Sequence, residues 1–230
     1  MEKELIEHVT SDWNNNSLRA IVLAAEGAVF SSGHNLKEFN VDQGEKCLMK
    51  EVFKMSTKLM LSIVECPVPV IACVNGVAAA AGCQLVSQCD IVVCSEKSMF
   101  STPGANFGVF CSTPGIPLSR VVSRKTALHM LLTGFPLVAS DAKLAGLVSV
   151  VCPENELERE VDKICKSIIA KSRYTIAAGK RFYYQQVELE LKKAYTLGEE
   201  EMTNRIKSID GQEGVKSFAE KRSPEWKHFG

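Results

Sequence analysis

Three apolar segments in the first half of the chain have the pattern of strands that are buried on both faces. They cover residues 18–26, 68–76 and 90–96. Each run is too short for a stable helix, and continuous apolar runs of this length are typical of parallel strands covered on both sides. The pattern therefore predicts three core strands.

Helical patterns lie between and after the predicted strands. The first places its apolar residues at spacings of four and three, which is one face of a helix. These residues are Leu48, Val52, Met55, Leu59 and Ile63. A shorter helix is predicted over residues 79–89, directly before the third strand. The alternation of strands and helices predicts an α/β fold class.

The second half of the chain is predicted to be mainly helical. It begins with a segment rich in Gly and Pro, residues 101–117, that predicts turns. Ser123 and Ser140 are the predicted N-caps of helices that end at Gly134 and Gly146. Further helical patterns cover residues 155–172, 189–208 and 211–222. Because no repeat or linker divides the chain, we predict one domain over residues 1–230, with a strand-bearing core over about 1–125 and a helical region over about 126–230.

Composition and charge exclude several classes of protein. Apolar residues make up 46% and charged residues 23%, which is typical of a globular domain. Lys+Arg and Asp+Glu balance at 27 each, so no net field attracts nucleic acid or an anionic membrane. No apolar run reaches the roughly 18 residues that a membrane span needs. We expect neither nucleic acid nor a membrane as partner, and residues 1–17 show no signal or transit pattern.

Cysteine and histidine spacing predicts no metal site. The nine cysteines are an odd number without a C-x-x-C pair, which favours buried free thiols in a reducing compartment over a disulfide framework. The four histidines are far apart and have no ligand spacing.

Two bends of small residues follow the first two predicted strands, "FSSGHNLKE" at 30–38 and "VNGVAAAAGCQLVSQCD" at 74–90. A bend that starts a helix leaves free backbone N–H groups beside the positive end of the helix dipole. If the two bends face each other, their N–H groups can converge on one oxygen and stabilise an oxyanion, and small residues at 78–82 would leave the donors accessible. A purely close-packing role for the alanines remains the alternative.

Four segments together resemble motifs of the enoyl-CoA hydratase/isomerase (crotonase) superfamily. "VFSSGHNLKEF" is similar to its F-x-x-G-x-D-L/I-K box, and "PVPVIACVNGVAAAAGCQLVSQCDIVVCSEKSMFSTPGANFG" to the box that contains G-G-G-x-E-L. "TGFPLVASDAKLAGLVSVVCP" and "DGQEGVKSFAEKRSPEW" resemble its T-G-x-x-x-x-A and E-G-x-x-A-F-x-E-K-R segments. The resemblance implies a ClpP-like crotonase spiral of ββα units with a helical C-terminal trimerisation region. It also implies an N-terminally shortened fold, because the family's first strands and R-x-x-x-x-N-A-L/M segment have no counterpart here.

The resemblance implies positions for an acyl-CoA site. The backbone N–H groups of His34 and Ala81 would form the oxyanion hole. Asn35, Leu36 and Lys37 would line the CoA channel, with Lys37 either paired to a phosphate or simply solvated. Phe218 and Lys221 would either reach the CoA of a neighbouring subunit or serve helix packing.

This chain departs from the hydratase pattern where acid–base chemistry is expected. The two glutamates of the hydratases fall at Gln84 and Gly104, and neither residue transfers protons. A replacement base would have to come from Cys83, Cys111 or the ring of His34. We expect Cys111 to be a buried inert thiol and the His34 ring to face solvent.

Two functions follow from this resemblance. The first is an acyl-CoA-binding enzyme of fatty acid and lipid metabolism that polarises a thioester carbonyl and performs isomerisation, decarboxylation or thioester cleavage instead of hydration. The second is a catalytically inactive acyl-CoA-binding or regulatory protein, so whether the chain is an enzyme stays open. A coenzyme A thioester is the expected ligand, with no cofactor or metal. The resemblance also implies a homotrimer or dimer of trimers and mitochondrial residence.

Overall fold

The computed structural model describes residues 1–39 and 46–229, and the side chains at 38 and 46–48 are also outside this description. The strands are β1 Ile21–Ala24, β2 Val29–Ser31, β3 Val70–Val74, β4 Val77–Ala79, β5 Ile91–Ser95, β6 Met99–Ser101, β7 Leu137–Val138 and β8 Val150–Cys152. The helices are α1 Glu2–Thr10, α2 Lys46–Glu65, α3 Ala81–Gln88, α4 Ser112–Val121, α5 Arg124–Thr133, α6 Ala139–Ala145, α7 Leu157–Ile169, α8 Arg173–Gln186, α9 Leu191–Lys207 and α10 Ile209–Ala219.

The strands form two four-stranded sheets through a repeated ββα unit. The first sheet has the order β1-β3-β5-β8 and is parallel throughout. The second has the order β2-β4-β6-β7, in which only the β6–β7 pair is antiparallel. In each unit one strand of the first sheet is followed by a bend and a three-residue strand of the second sheet. The predicted spiral of ββα units is confirmed.

Both faces of the first sheet are covered at β3 and β5, which explains the continuous apolar sequences of these strands. Val70, Ala72 and Val74 of β3 face the main core together with Ile63 of α2. Ile71 lies on the other face of the same strand, in a second cluster that includes residues of α7. The three strands are therefore confirmed, with bounds within about three residues of the predicted ones. Burial on both faces is wrong for β1, because this edge strand exposes Val22 and Ala24 on one face.

The predicted helices of the first half are also confirmed. α2 buries Leu59 and Ile63 of the predicted apolar face, whereas the side chain of Leu48 lies outside the described residues. No helix in the described ranges is long and apolar enough to cross a membrane. The eight cysteines whose side chains are described are all unpaired thiols, six of them buried.

Several elements of the second half differ from the prediction. Strands β7 and β8 lie in the region predicted to be helical, and each completes one of the sheets. The predicted turn segment overlaps the first part of α4, in which Pro114 falls in the first turn, where a proline is tolerated, and Pro117 lies inside the helix. Ser123 is the N-cap of α5 as predicted, but Ser140 lies inside α6, which begins one residue earlier. Helix α8 was not predicted as a separate element.

A buried ion pair attaches α8 to the first sheet. Lys180 Nζ lies 2.6 Å from Asp90 Oδ2 and also donates to the carbonyls of Ile63 (2.8 Å) and Val68 (3.1 Å). Tyr184 OH donates to Asp90 Oδ1 at 3.0 Å. The Val70 amide donates to Asp90 Oδ2 at 2.7 Å. We refer to Asp90, Lys180 and Tyr184 as the ionic cluster.

Candidate functional site

The two bends that the sequence singles out are in contact at residues 31–33 and 79–82, and the names first bend and second bend refer below to these parts and the residues next to them. Gly33 has a φ of +91°, and a Cβ added there would lie 2.9 Å from Ala80 Cβ and 3.1 Å from the Ala81 amide nitrogen. In the reverse direction, a Cβ on Gly82 would lie 2.5 Å from Ser31 O. Because each glycine sits where a side chain would collide with the other bend, both are needed for this close approach.

The second bend begins α3 with a strained backbone. Ala80 has φ 50° and ψ −116°, a conformation that residues with a Cβ rarely adopt. Its amide donates to Ser101 O at 2.9 Å, and its carbonyl accepts the first helical bond, from Gln84 N at 2.9 Å. The amide of Ala81 therefore belongs to the first turn, whose N–H groups have no acceptor within the helix.

Neither of the two amides assigned by the resemblance is used elsewhere in the described part of the chain. No main-chain or side-chain acceptor is found there for the N–H of His34 or for that of Ala81. The N–H of Ala81 lies at the start of α3, a position that favours an anionic or partly negative oxygen. The contact between the bends thus brings two segments with available donors together.

The ring of His34 is turned into the protein, so the expectation that it faces solvent is wrong. Its Nε2 lies 3.1 Å from Ser56 Oγ and 3.2 Å from Glu2 Oε1, and the side chain is only 18% exposed. The ring also packs against Phe39 and Phe53. Because Ser56 and Glu2 both contact the same ring nitrogen, the group ties α1 and α2 to the first bend and differs from a catalytic triad.

Two polar side chains beside the second bend are buried without a partner. Gln84, one turn into α3, is 4% exposed, and its Oε1 has no hydrogen-bond partner among the described residues. Thr102 is fully buried, and its Oγ1 is likewise unpartnered there. It follows Ser101, whose carbonyl accepts from Ala80 N. Buried unpaired polar atoms are unusual and are concentrated at functional sites or at sites that hold water.

Gly104 lies against the loop that follows it. Its amide donates to Cys111 Sγ at 3.3 Å. A Cβ at this position would overlap Val109 O and would lie 2.7 Å from Cys111 Sγ. The chain therefore leaves no room here for a side chain such as glutamate unless residues 109–111 move.

Burial makes the nearby thiols poor bases. It raises the pKa of the Cys83 thiol to about 12, only partly offset by a hydrogen bond from Ser87. Burial also raises the pKa of the Cys111 thiol, and the hydrogen bond from Gly104 N–H lowers it by less. Both groups are therefore protonated near neutral pH, and a thiol is a weaker nucleophile than a thiolate.

The remaining predicted residues lie on two separate elements. Leu36 and Lys37 are exposed on a short 3₁₀ helix directly after the first bend, and Lys37 N donates to Asn35 Oδ1 at 3.3 Å. Phe218 lies in the last turn of α10, which packs on α8 and α9, and Lys221 follows the helix. Phe218 is 87% exposed, so its side chain does not serve helix packing within this chain.

The fold and the contacting bends define an α/β protein of the crotonase type. The family profile described as enoyl-CoA hydratase/isomerase matches residues 1–228, and the chain belongs to this family.

Individual proteins agree with this assignment. Human enoyl-CoA hydratase domain-containing protein 3, named as mitochondrial, is 49% identical over 228 residues, which are 99% of this chain and 75% of that protein. The crystal structure of the human protein superposes with a TM-score of 0.95 at 48% identity, covering 98% of this chain and 88% of the other. An enoyl-CoA hydratase from Mycobacterium smegmatis reaches a TM-score of 0.94 at 42% identity, with coverages of 98% and 88%.

Sequence reasoning missed three residues of this site. Glu2 and Ser56 lie far apart in sequence, and no motif connects them to His34. Thr102 falls in the predicted turn segment, residues 101–117, and strand β6 before it was not predicted, so no sequence signal distinguishes it. Only its burial beside the second bend does.

Proposed function

We propose that this protein binds an acyl-CoA and polarises its thioester carbonyl between the N–H groups of His34 and Ala81. One observation carries the proposal: Gly33 rests on Ala80 and Ala81, so that the two bends with available amides touch. Backbone donors held in fixed positions stabilise developing negative charge without reorganisation. Asn35, Leu36 and Lys37 would contact the CoA, because they follow directly on the first donor.

Classical hydration is not part of this function. Gln84 cannot act as a general acid or base, and Gly104 has no side chain. A Cβ at position 104 would overlap Val109 O. A single Gly104→Glu substitution should therefore not restore the glutamate that the hydratases have there. As an enzyme, the protein would instead catalyse isomerisation, decarboxylation or thioester cleavage in lipid metabolism.

The second candidate is a catalytically inactive acyl-CoA-binding or regulatory protein. It is favoured by the raised pKa of the Cys83 and Cys111 thiols and by the engagement of the His34 ring with Glu2 and Ser56. In that case the amides would bind the thioester oxygen without any turnover.

A homotrimer or dimer of trimers in mitochondria belongs to the same proposal. Exposed apolar side chains on the C-terminal helices support association, since large apolar surfaces favour protein contacts. They include Leu191, Tyr195, Met202 and Phe218. The mitochondrial compartment is supported by the human relative, which is named as mitochondrial.

The test measures binding and hydration in parallel on the purified full chain. We expect butyryl-CoA to bind in calorimetry and crotonyl-CoA hydration to be negligible. Ala81→Trp should abolish binding because the indole would cover the donors, whereas Ala25→Trp adds the same bulk at an exposed position after β1 and should bind normally. Rapid hydration that survives Gln84→Ala, or no acyl-CoA binding by the wild-type chain, would contradict the proposal.

A panel of acyl-CoAs followed by mass spectrometry separates the two candidates. New products that disappear in Ala81→Trp indicate an enzyme. Binding without any product indicates the inactive acyl-CoA-binding protein.

A further inference from the structure

Residues 221–229 follow α10 and lie against the junction between α7 and α8, and we refer to them as the C-terminal segment. Trp226 Nε1 donates to the carbonyl of Ala170, just after α7, at 2.9 Å. Further along the segment, His228 contacts Arg173, the first residue of α8. The segment is therefore attached at the start of α8, and the His228 side chain makes this attachment.

Both ring nitrogens of His228 face N–H donors. Nδ1 accepts from the Arg173 amide at 3.2 Å, and Nε2 lies 3.4 Å from Nη1 of Arg19. A neutral imidazole has one acceptor nitrogen, so it can accept from one of the two donors, whereas an imidazolium has no acceptor. Protonation of the His228 ring therefore removes the hydrogen bond that attaches the segment to α8.

Positive charge around the ring also disfavours its protonation. Burial, followed by the charge of Arg173, lowers the pKa of the Arg19 guanidinium, so the two guanidinium groups lie close enough to repel each other. Arg19 also donates to the carbonyl of Lys171, whose side chain is exposed, as is that of Lys227. An imidazolium at His228 would join this cationic group, and nearby like charges disfavour a further charge.

The carboxylate of Asp210, in the first turn of α10, opposes this effect. It is 1% exposed and partly offsets the lowered pKa of Arg19. Its oxygens accept from Ser172 Oγ at 2.5 Å and from the amides of Lys227 and His228 at 2.7 and 2.9 Å. Because this carboxylate is shared between two guanidinium groups and the ring, it does not cancel the repulsion of an imidazolium.

We propose that the C-terminal segment is a pH-sensitive strap, which is closed on α8 when the His228 ring is neutral and opens at its end when the ring is protonated. A released imidazole in water titrates at about pH 6.5. Because the closed state needs the neutral ring, closure is complete above about pH 6.5 and is lost as pH falls below this value. Opening uncovers the start of α8 and the guanidinium of Arg19.

The other attachment of the segment does not titrate in this range. The Glu213 carboxylate of α10 accepts from the guanidinium of Arg222 and from the amide of Glu225, and these hydrogen bonds lower its pKa to about 2. Opening should therefore be confined to residues 226–229. No acyl-CoA takes part in this change, so its test is independent of the proposed function.

The experiment follows the ¹⁹F NMR spectrum of the full chain labelled with fluorotryptophan, in which Trp13 and Trp226 give one resonance each. As pH falls from about 8 to about 5, the Trp226 resonance should move to the position of a solvent-exposed indole. Trp13, whose Nε1 donates to the carbonyl of Val9, should keep its position and report that the fold is intact.

Hydrogen exchange at the His228 amide gives a second readout, because Asp210 accepts from this amide in the closed state. Relative to its intrinsic rate, exchange should be about tenfold faster at about pH 5.5 than at neutral pH. An ordinary imidazole is about nine-tenths protonated one unit below its pKa, which lowers the share of the closed state by this factor.

His228→Asn is the decisive variant. Its amide oxygen can accept in place of Nδ1, it does not titrate, and asparagine readily adopts the positive φ of this residue, +64°. The segment of this variant should stay closed over the whole pH range. His8→Asn, the matched control, removes an exposed histidine from α1 and should open as the wild type does.

Each outcome decides for or against the strap. Opening of the wild type and of His8→Asn, together with a closed His228→Asn, supports it. A wild-type segment that stays closed at about pH 5 would overturn it, and so would equal pH dependence in His228→Asn. A His228→Asn segment that is open at every pH would show that an acceptor at Nδ1 does not hold the segment, which also contradicts the proposal.

Discussion

The two bends and the ionic cluster lie at opposite ends of α3. They differ in whether their buried polar atoms have hydrogen-bond partners. At the start of the helix, Gln84 Oε1 and Thr102 Oγ1 are buried without partners in the described residues. Just beyond its end, both carboxylate oxygens of Asp90 accept hydrogen bonds, from Tyr184, Lys180 and the Val70 amide.

This difference separates a region that holds the fold together from a region that can hold a ligand. A buried charge is tolerated only when it is paired and hydrogen-bonded, and the ionic cluster meets that requirement. The bends instead combine unpaired polar atoms with the strained backbone of Ala80, and both features are common at binding sites. Changes in the cluster should therefore affect stability alone, and changes at the bends should affect binding.

The largest effect is expected for Lys180→Met. The variant leaves the Asp90 carboxylate buried without its cation, which should lower the free energy of unfolding by about 3–5 kcal/mol. Lys97→Met removes a cation from an exposed pair with Glu154 and should change stability far less. Urea unfolding of both variants checks this. A Lys180→Met variant as stable as the wild type would show that the ionic cluster does not stabilise the fold.

Gly33→Ala should damage binding as well as stability. A matched control is Gly27→Ala, since Gly27 has φ +90° and open space around the added Cβ, whereas Gly33 has φ +91° and Ala80 at 2.9 Å. Both variants carry a backbone penalty of about 1–2 kcal/mol. Only Gly33→Ala should push the bends apart and weaken butyryl-CoA binding by about tenfold or more. Equal affinities of the two variants, measured by calorimetry, would show that the contact is not needed.

Tyr184→Phe should lower the free energy of unfolding by about 2 kcal/mol, because it removes a hydrogen bond to a buried carboxylate. Burial, followed by the charge of Asp90, raises the pKa of Tyr184 above its usual value. The raised pKa means that the folded state favours the protonated phenol. The contribution of the Tyr184 phenol to the free energy of unfolding is therefore complete below about pH 10, the usual pKa of tyrosine, and is lost as pH rises further.

Denaturant unfolding across the alkaline range checks this pH dependence. The wild type should lose stability above about pH 10 more steeply than the Phe variant. Identical slopes would argue against a phenol held by Asp90. Acyl-CoA affinity at neutral pH should be the same for both proteins.

The smallest effect is expected for Ala80→Gly. Glycine adopts positive φ without a Cβ penalty, so the variant should be more stable by up to about 1 kcal/mol, after the greater entropy of its unfolded chain is included. Ala79→Gly, in β4, has no strain to relieve and should lose stability instead. Thermal unfolding distinguishes the two. A loss of stability in Ala80→Gly would mean that the bend is not strained.

The sequence predicted the parts of the fold that depend on long apolar patterns. The core strands and α2 have enough residues to show their periodicity, and the motif resemblance identified the family. The strands of the second sheet have only two or three residues each, which is too few for an alternating pattern. β7 and β8 were missed because their short apolar runs are also compatible with the helices around them.

The candidate site was predictable where it depends on backbone and motif, and not where it depends on distant side chains. Gly33 and Gly82 stood out because small residues interrupt an apolar region. The inward orientation of the His34 ring depends on Glu2 and Ser56, which no local pattern connects. The collision of a side chain at Gly104 with Val109 O depends on the path of the following loop, which the residue types do not specify.

The most direct test of the central claim is the carbonyl stretching frequency of bound butyryl-CoA labelled with ¹³C at the thioester carbon. Two converging N–H donors would polarise the carbonyl, so the band should shift to lower frequency on binding to the wild-type chain and to Gly27→Ala. In Gly33→Ala, any bound ligand should show a smaller shift. A bound thioester whose carbonyl frequency equals that of the free ligand in water would contradict the account.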